Sequence, residues 1–321
     1  MRFLLESIAR RRRVPAEALF PESAFRDAEA EASRFRAALE SARAVYGSLR
    51  DRPEHAEFVH PDWTRNIRDI ERYFVHGFGT DFLENPVING TMVFTDRTAH
   101  EAEWQAVCAW RSPDRLARAA AGGLSAPLIA GRLRRMTAIN SVHHLHHLVR
   151  FENFSGLRIE DTRSVLEFGG GYGNLARIFH NLATGVRCTI IDLPLFSCIQ
   201  YVFLCATVGP DRVRLAGDGH TGGEEASVTL VPLPLMDKIE GSFDLFVSTW
   251  ALSESTPHAY AYTKERDWFG ADGILLAFNR CWISWENGEA EKSLELSGRR
   301  VNVEPIPFLP GSCYLFAETR R

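Results

Sequence analysis

The chain has 321 residues, 45% of them hydrophobic and 24% charged, with a formal net charge of −4. This is the profile of a soluble globular protein long enough for two ordinary domains or one large one. The charge balance excludes general recruitment to nucleic acid or to an acidic membrane surface, and no apolar run reaches the roughly 18 residues of a membrane span.

The opening "MRFLLESIARRRR" has too short an apolar stretch for a secretory signal, and Arg10 to Arg13 read as a solvated helix end. The six cysteines (Cys108, Cys188, Cys198, Cys205, Cys281 and Cys313) form no CxxC pair and sit in apolar contexts. That usage suits reduced, buried thiols and a cytoplasmic location.

Residues 1–150 read as an α-helical N-terminal domain. Phe25, Ala28, Ala32, Phe35, Leu39, Ala42, Tyr46 and Leu49 alternate steps of three and four and form one stripe. The stripe reads as intramolecular core, and such a helix also suits a homodimer. Further helices are expected at 62–76, 98–121 and 126–149. Between the first two of these, "GFGTDFLENPVINGTMVFTD" carries Gly77, Gly79, Pro86 and Gly90 and reads as loop with at most a short hairpin.

Residues 151–321 read as a second, catalytic domain in which short apolar runs alternate with helices. "SVLEF", "RCTIID", "FDLFVST" and "GILLAFN" are expected as buried strands, and "VNVEPIPFLP" with "CYLFAE" as a closing hairpin. Such alternation argues for a parallel sheet with helices on both faces, a doubly wound α/β fold.

The most informative stretch is "VLEFGGGYGNLARIF", Val165 to Phe179. A dinucleotide fingerprint, GxGxxG or GxGxxA, fails from Gly169 because Asn174 fills the third position, and passes from Gly171 to Ala176. Glu167, directly before the glycines, decides between cofactors. A carboxylate there repels a pyrophosphate, which needs amides and a helix N-terminus. It suits a ligand with an ammonium group and no phosphate, such as S-adenosylmethionine. Asp192, ending "TIID", suits ribose hydroxyls.

These residues resemble a class I S-adenosylmethionine-dependent methyltransferase. With "IIDLP", "FDLFVSTWALSES" and "LLAFNR" the chain more narrowly resembles the sugar O-methyltransferase family, over roughly residues 140–285. The resemblance implies a Rossmann-like, mostly parallel seven-stranded sheet. It places the donor's methionine end on Glu167, Gly169, Gly170, Gly171, Tyr172 and Gly173, its ribose on Asp192, and its adenine beside Leu193. Asp218 and Ser248 complete the expected cofactor set. "RLAGD", ending at Asp218, and "VTLVP", ending at Pro232, both qualify as the third strand. "ALSES" departs from the methionine-flanked pattern expected after the fourth strand.

A hydroxyl acceptor needs alignment and a base. Glu254 and His258, four apart after the fourth strand, share a face if a helix starts there, and Tyr262 continues it. If Ser255 or Thr256 caps that helix with Pro257 at its first turn, Glu254 lies before it, in the loop facing the ligand. Trp250 is placed to stack on a sugar or to serve as core, and Asn279 and Arg280 to bind substrate polar groups. In "SVHHLHHLVRFEN", His143, His146 and His147 share one flank while His144 points elsewhere. His143 and His147 have the spacing of a metal pair, but the glutamate of HExxH and a third ligand are missing. They are expected as general-base candidates or as satisfied core histidines. A cation beside Arg280 is disfavoured, so no metal is expected.

The expectation is a metal-independent O-methyltransferase acting on a sugar or sugar-bearing small molecule, with the N-terminal domain as lid. The rivals are a nicotinamide-dependent oxidoreductase and a non-catalytic binding module keeping the fold.

Overall fold

The computed structural model describes residues 28–94, 97–109, 113–120, 132–217, 221–222, 226–279, 295 and 297–319. Among the described residues nine strands form one sheet: β1 (Ser164–Phe168), β2 (Arg187–Asp192), β3 (Val213–Leu215), β4 (Thr221–Gly222), β5 (Val228–Pro232), β6 (Leu245–Thr249), β7 (Gly273–Asn279), β8 (Arg300–Pro305) and β9 (Ser312–Glu318). Their order is β4-β3-β5-β2-β1-β6-β7-β9-β8. The strands from β3 to β7 run parallel, and β9 pairs antiparallel with both β7 and β8. The expected seven-stranded sheet with its closing hairpin is therefore present, and β3 and β4 lengthen one edge. "VTLVP" is the strand beside β2 and "RLAG" lies one place further out. The order reverses between β1 and β6, which opens a crevice at their carboxyl ends.

Alternation along the strands sends side chains to two apolar layers. Val165, Ile190, Val247 and Leu275 join one layer; Leu166, Ile191, Phe246 and Ile274 join the other. The first layer is covered by helices from the N-terminal half and by α7 (Asn174–Leu182) and α8 (Pro194–Thr207), which follow β1 and β2. Every residue from Pro194 to Ala206 is buried, as expected of a helix apolar all round. It lies between the sheet and α1 (Ala28–Leu49), whose stripe Ala32, Phe35, Leu39, Ala42, Tyr46 and Leu49 is buried within the chain. Phe25 lies outside the described residues. Arg34 of α1 donates to the Ala206 carbonyl at 3.2 and 2.9 Å, satisfying an otherwise orphaned helix end.

The N-terminal half departs from the expected elements in three places. Pro86–Met92, read as loop, is helix α3, after α2 (Trp63–His76). Asn85 caps it, its Oδ1 accepting from the Val87 and Ile88 amides at 3.0 and 3.3 Å, with Pro86 at the first turn. The expected helix 98–121 is two, α4 (Arg97–Cys108) and α5 (Pro113–Ala120), the second starting on a proline. Helix α6 (Arg132–Ser155) runs across residue 150 and packs on the sheet through Val149 and Phe151. Among the described residues no helix is long and apolar enough to cross a membrane.

Candidate functional site

A cleft of about 1040 Å³, open solvent at its mouth included, lies at the carboxyl ends of β1, β2 and β6. Part of its lining is the turn from Glu167 to Tyr172 together with Ile191, Asp192 and Leu193; the rest includes Phe58, Trp63, Met92, His144, Trp250 and Glu254.

The turn is tight because glycines let it be. Gly173 donates its amide to the Gly170 carbonyl at 2.8 Å, and Gly169 holds φ +80° with no room for a side chain. A Cβ there would stand 1.9 Å from the Ala251 Cβ. Gly171 also has positive φ (+57°), but beside it the space is open, so a ligand can approach the backbone. The Tyr172 ring is locked against Phe82 and Phe203, and its hydroxyl accepts from Asn140 at 3.1 Å.

Asp192 is bound into this turn. Its carboxylate accepts from the Leu193 amide at 2.8 Å, from Gln200 Nε2 at 2.7 Å, and from the Gly170 and Gly171 amides. Burial nevertheless pushes it up to about 7 against those hydrogen bonds. Glu167 is pushed further, to about 8, by burial and then by the charge of Asp192. Two buried acids thus share one end of the cleft. Among the described residues that line it there is no lysine or arginine. This end is built to take positive charge.

Trp250, after β6, has φ +73° and ψ −46°, a strained backbone for a residue with a Cβ. Its carbonyl accepts from the Ser253 and Glu254 amides at 3.0 and 3.1 Å, starting the four-residue helix α9 (Ala251–Glu254). Its indole donates to His143 Nε2 at 3.4 Å, the two rings lying edge to edge and nearly parallel with 6.1 Å between centroids. His143 Nε2 being the acceptor, Nδ1 carries the proton that it shares with buried Glu103, 2.5 Å away. Glu254 faces the cleft, and burial pushes its carboxyl up to about 7.

Several expected site residues are elsewhere. His143 stands behind Trp250 and does not line the cleft; His147 is fully buried, its Nδ1 2.7 Å from the Tyr314 hydroxyl. His146 shares that hydroxyl at 3.0 Å, and burial pushes it down to about 3, so it stays neutral. The histidine that reaches the cleft is His144, which the helical wheel turned away. Among the described residues no group of three His, Cys, Asp or Glu is placed to hold a metal.

Glu254 and His258 do not share a helix face, because Ser255 and Thr256 separate α9 from α10 (Pro257–Glu265). The Thr256 amide bonds the Phe58 carbonyl, His258 packs on the Phe58 ring 3.7 Å from Glu57, and Tyr262 donates to Asp237. Neither lines the cleft. Ser248 lies behind the wall, donating to the Phe168 carbonyl at 2.9 Å and accepting from the Leu252 amide at 3.0 Å. Asn279 ends β7 outside the lining, its amide donating to Ser253 Oγ at 3.3 Å. Asp218 and Arg280 lie outside the described residues.

Sequence reasoning missed Phe58, Trp63, Thr91, Met92, Phe196, Leu233 and Thr249, all of which line the cleft. The capping asparagine and proline before Val87 were a readable signal for α3. Nothing local marked the others, since their role arises from packing across the sheet's end.

No family model matches the chain, and no curated protein matches it. Among solved structures it is similar to the mitomycin 7-O-methyltransferase MmcR, at 14% identity and a TM-score of 0.39, over 94% of this chain and 74% of that one. It is also similar to a magnesium protoporphyrin IX methyltransferase from Synechocystis PCC 6803 with bound S-adenosylmethionine: 14% identity, TM-score 0.39, 64% of this chain and 90% of that one. A precorrin-6y C5,15-methyltransferase from Geobacter metallireducens GS-15 aligns at 17% identity and a TM-score of 0.36, over 54% and 88%. At such identities and scores the neighbours decide nothing about chemistry, which is left to the cleft.

Proposed function

We propose that the cleft binds S-adenosylmethionine and that the protein is an O-methyltransferase acting on a hydroxyl of a sugar-bearing small molecule. The observation that carries this is the pair of buried acids, Glu167 and Asp192, at a glycine turn with no lysine or arginine among the described lining residues. A dinucleotide would bring a diphosphate to two carboxylates, whereas a donor with an ammonium group and a sulfonium compensates them.

The residues fit such a donor. Glu167 faces its ammonium group, the open backbone at Gly171 accommodates its methionine end, Asp192 takes the ribose hydroxyls and Leu193 lies beside the adenine. When bound, S-adenosylmethionine supplies a methyl group already activated on a positively charged sulfur. The chain's remaining task is to align the acceptor and remove its proton. Glu254 does the latter: burial keeps its carboxyl near 7, where a base is partly ionised at neutral pH and still strong. Trp250 fixes the start of the helix that carries Glu254. The sugar class comes from the sequence resemblance alone.

Mass spectrometry of the purified protein should reveal retained S-adenosylmethionine or S-adenosylhomocysteine. In calorimetry, Glu167→Gln and Asp192→Asn should each weaken S-adenosylhomocysteine binding by about tenfold, one pKa unit's worth of interaction, and NADH should not bind. Unchanged affinity in both variants, or tight NADH binding, overturns the assignment.

A further inference from the structure

The second substrate can be narrowed from the lining beyond the glycine turn, on the reading that the cleft is a methyl-donor site. Four large apolar side chains stand in it: Phe58, Trp63 and Met92 from the N-terminal half, and Trp250 from the segment after β6. Trp63 is held edge-on to Phe196 at 6.0 Å, and the Trp250 indole N–H is held at its edge by His143, with 6° between the ring planes. Two fixed, flat side chains therefore border the space left beside the donor. Flat apolar faces, whether aromatic rings or the C–H face of a sugar, pack well on such walls.

Among the described lining residues the charges are one-sided. Glu167, Asp192 and Glu254 line the cleft. The imidazoles do not offset them. Burial pushes His144 well down, so it is neutral, and the His60 ring lies 3.5 Å from the Asp62 carboxylate. A donor's ammonium and sulfonium act beside its own carboxylate, so its net charge is a single positive one. It offsets one of the three acids, leaves no cation to spare for an anionic acceptor, and leaves Glu254 for the acceptor's hydroxyl. An anionic acceptor would meet Glu254 across partly buried space, where like charges are poorly screened.

We propose that the acceptor is an uncharged hydroxyl compound with a flat apolar face, such as a glycoside of an aromatic aglycone, and that carboxylated, phosphorylated and nucleotide-activated sugars are excluded. A sugar hydroxyl remains an acceptor here only on an uncharged molecule.

The test is a matched pair differing by one carboxylate. 2-Naphthyl β-D-glucoside and 2-naphthyl β-D-glucuronide are titrated by calorimetry into the full chain saturated with S-adenosylhomocysteine at pH 8. The glucoside should bind at least tenfold more tightly than the glucuronide. Glu254→Gln should narrow that ratio, and Trp63→Ala should weaken the glucoside. Equal or tighter binding of the glucuronide, or no binding of either, overturns the proposal. The S-adenosylhomocysteine titration run first separates the two levels. If it binds and the pair is not discriminated, only the acceptor inference fails; if it does not bind, the donor reading fails too.

Discussion

The two walls of the cleft are built in different ways. The donor wall, the part proposed to hold the donor, is local: Glu167 to Tyr172 is one run of chain, and Asp192 ends the neighbouring strand, with β1 and β2 in register from Ser164↔Arg187 to Phe168↔Ile191. The acceptor wall, the part proposed to hold the acceptor, is assembled from Phe58, Trp63, Met92, His144 and Trp250. These come from separate segments joined by packing and by hydrogen bonds through Thr256, Asn140 and His143. A parallel sheet brings successive strand ends together by topology, so chemistry written there stays together. Chemistry supplied by helices docked over the sheet depends on every contact between. Breaking each wall separately measures that difference.

The largest effect belongs to the donor wall. Gly169→Ala places a methyl group 1.9 Å from the Ala251 Cβ at φ +80°. The turn and α9 must then separate, so S-adenosylhomocysteine binding should fall at least a hundredfold, roughly 3 kcal/mol, with a drop in Tm. Gly171→Ala has a comparable φ (+57°) but meets no protein atom within 4 Å, so its cost to the folded chain is only the conformational one of about 1–2 kcal/mol. An equal drop in Tm from both substitutions would mean that backbone strain, and not the contact with Ala251, governs the turn.

A second effect separates charge from shape. Folding into the cleft pushes Glu167 to about 8, against about 4.3 for an unfolded glutamate. The folded chain therefore favours its protonated form. The stability this group allows is fully present below about pH 4 and is lost as pH rises through the window to about 8. Glu167→Gln should thus be more stable than the parent at pH 8, with the gap closing toward pH 5, as thermal melts will read. Binding has the opposite sign. A cationic donor needs the ionised form, so affinity for S-adenosylmethionine should rise from pH 6 to 9 in the parent and more weakly in Glu167→Gln. A parent affinity independent of pH would remove the proposed role of Glu167.

The same contrast explains what was legible in the sequence. Glu167, Gly169 to Gly173 and Asp192 fell where the strand and turn pattern put them, because the glycine signature and the strand ends are local signals. The closing hairpin was legible for the same reason. Glu254 and Trp250 reached the cleft, but His258 and Tyr262 did not. The break at Ser255 and Thr256 was itself a local signal, since Thr256 stands extended before Pro257 at the first turn of α10. Its amide also bonds Phe58, a partner nearly two hundred residues earlier that no local periodicity encodes. His144 was misplaced because its helix is buried on nearly every side between residues 140 and 149, so no single apolar face marks its inward direction.

The smallest effect tests whether the walls communicate. Asn140, on α6 and buried, accepts from the Phe94 amide at 3.1 Å and donates to the Met92 carbonyl at 3.2 Å and the Tyr172 hydroxyl at 3.1 Å. One side chain thus pins the end of the acceptor wall to a residue of the donor turn. Leucine has nearly the same size and makes none of these bonds, so Asn140→Leu should cost about 1–3 kcal/mol of stability. Tyr172→Phe, which removes only the last bond, should cost less, about 1 kcal/mol. If the pin aligns the walls, Asn140→Leu should also weaken S-adenosylhomocysteine binding a few-fold, although it touches no donor-binding residue except through Tyr172. A variant that melts earlier yet binds with the parent's affinity would show that the docked helices brace the fold without setting the turn. The helical half would then matter to the acceptor alone.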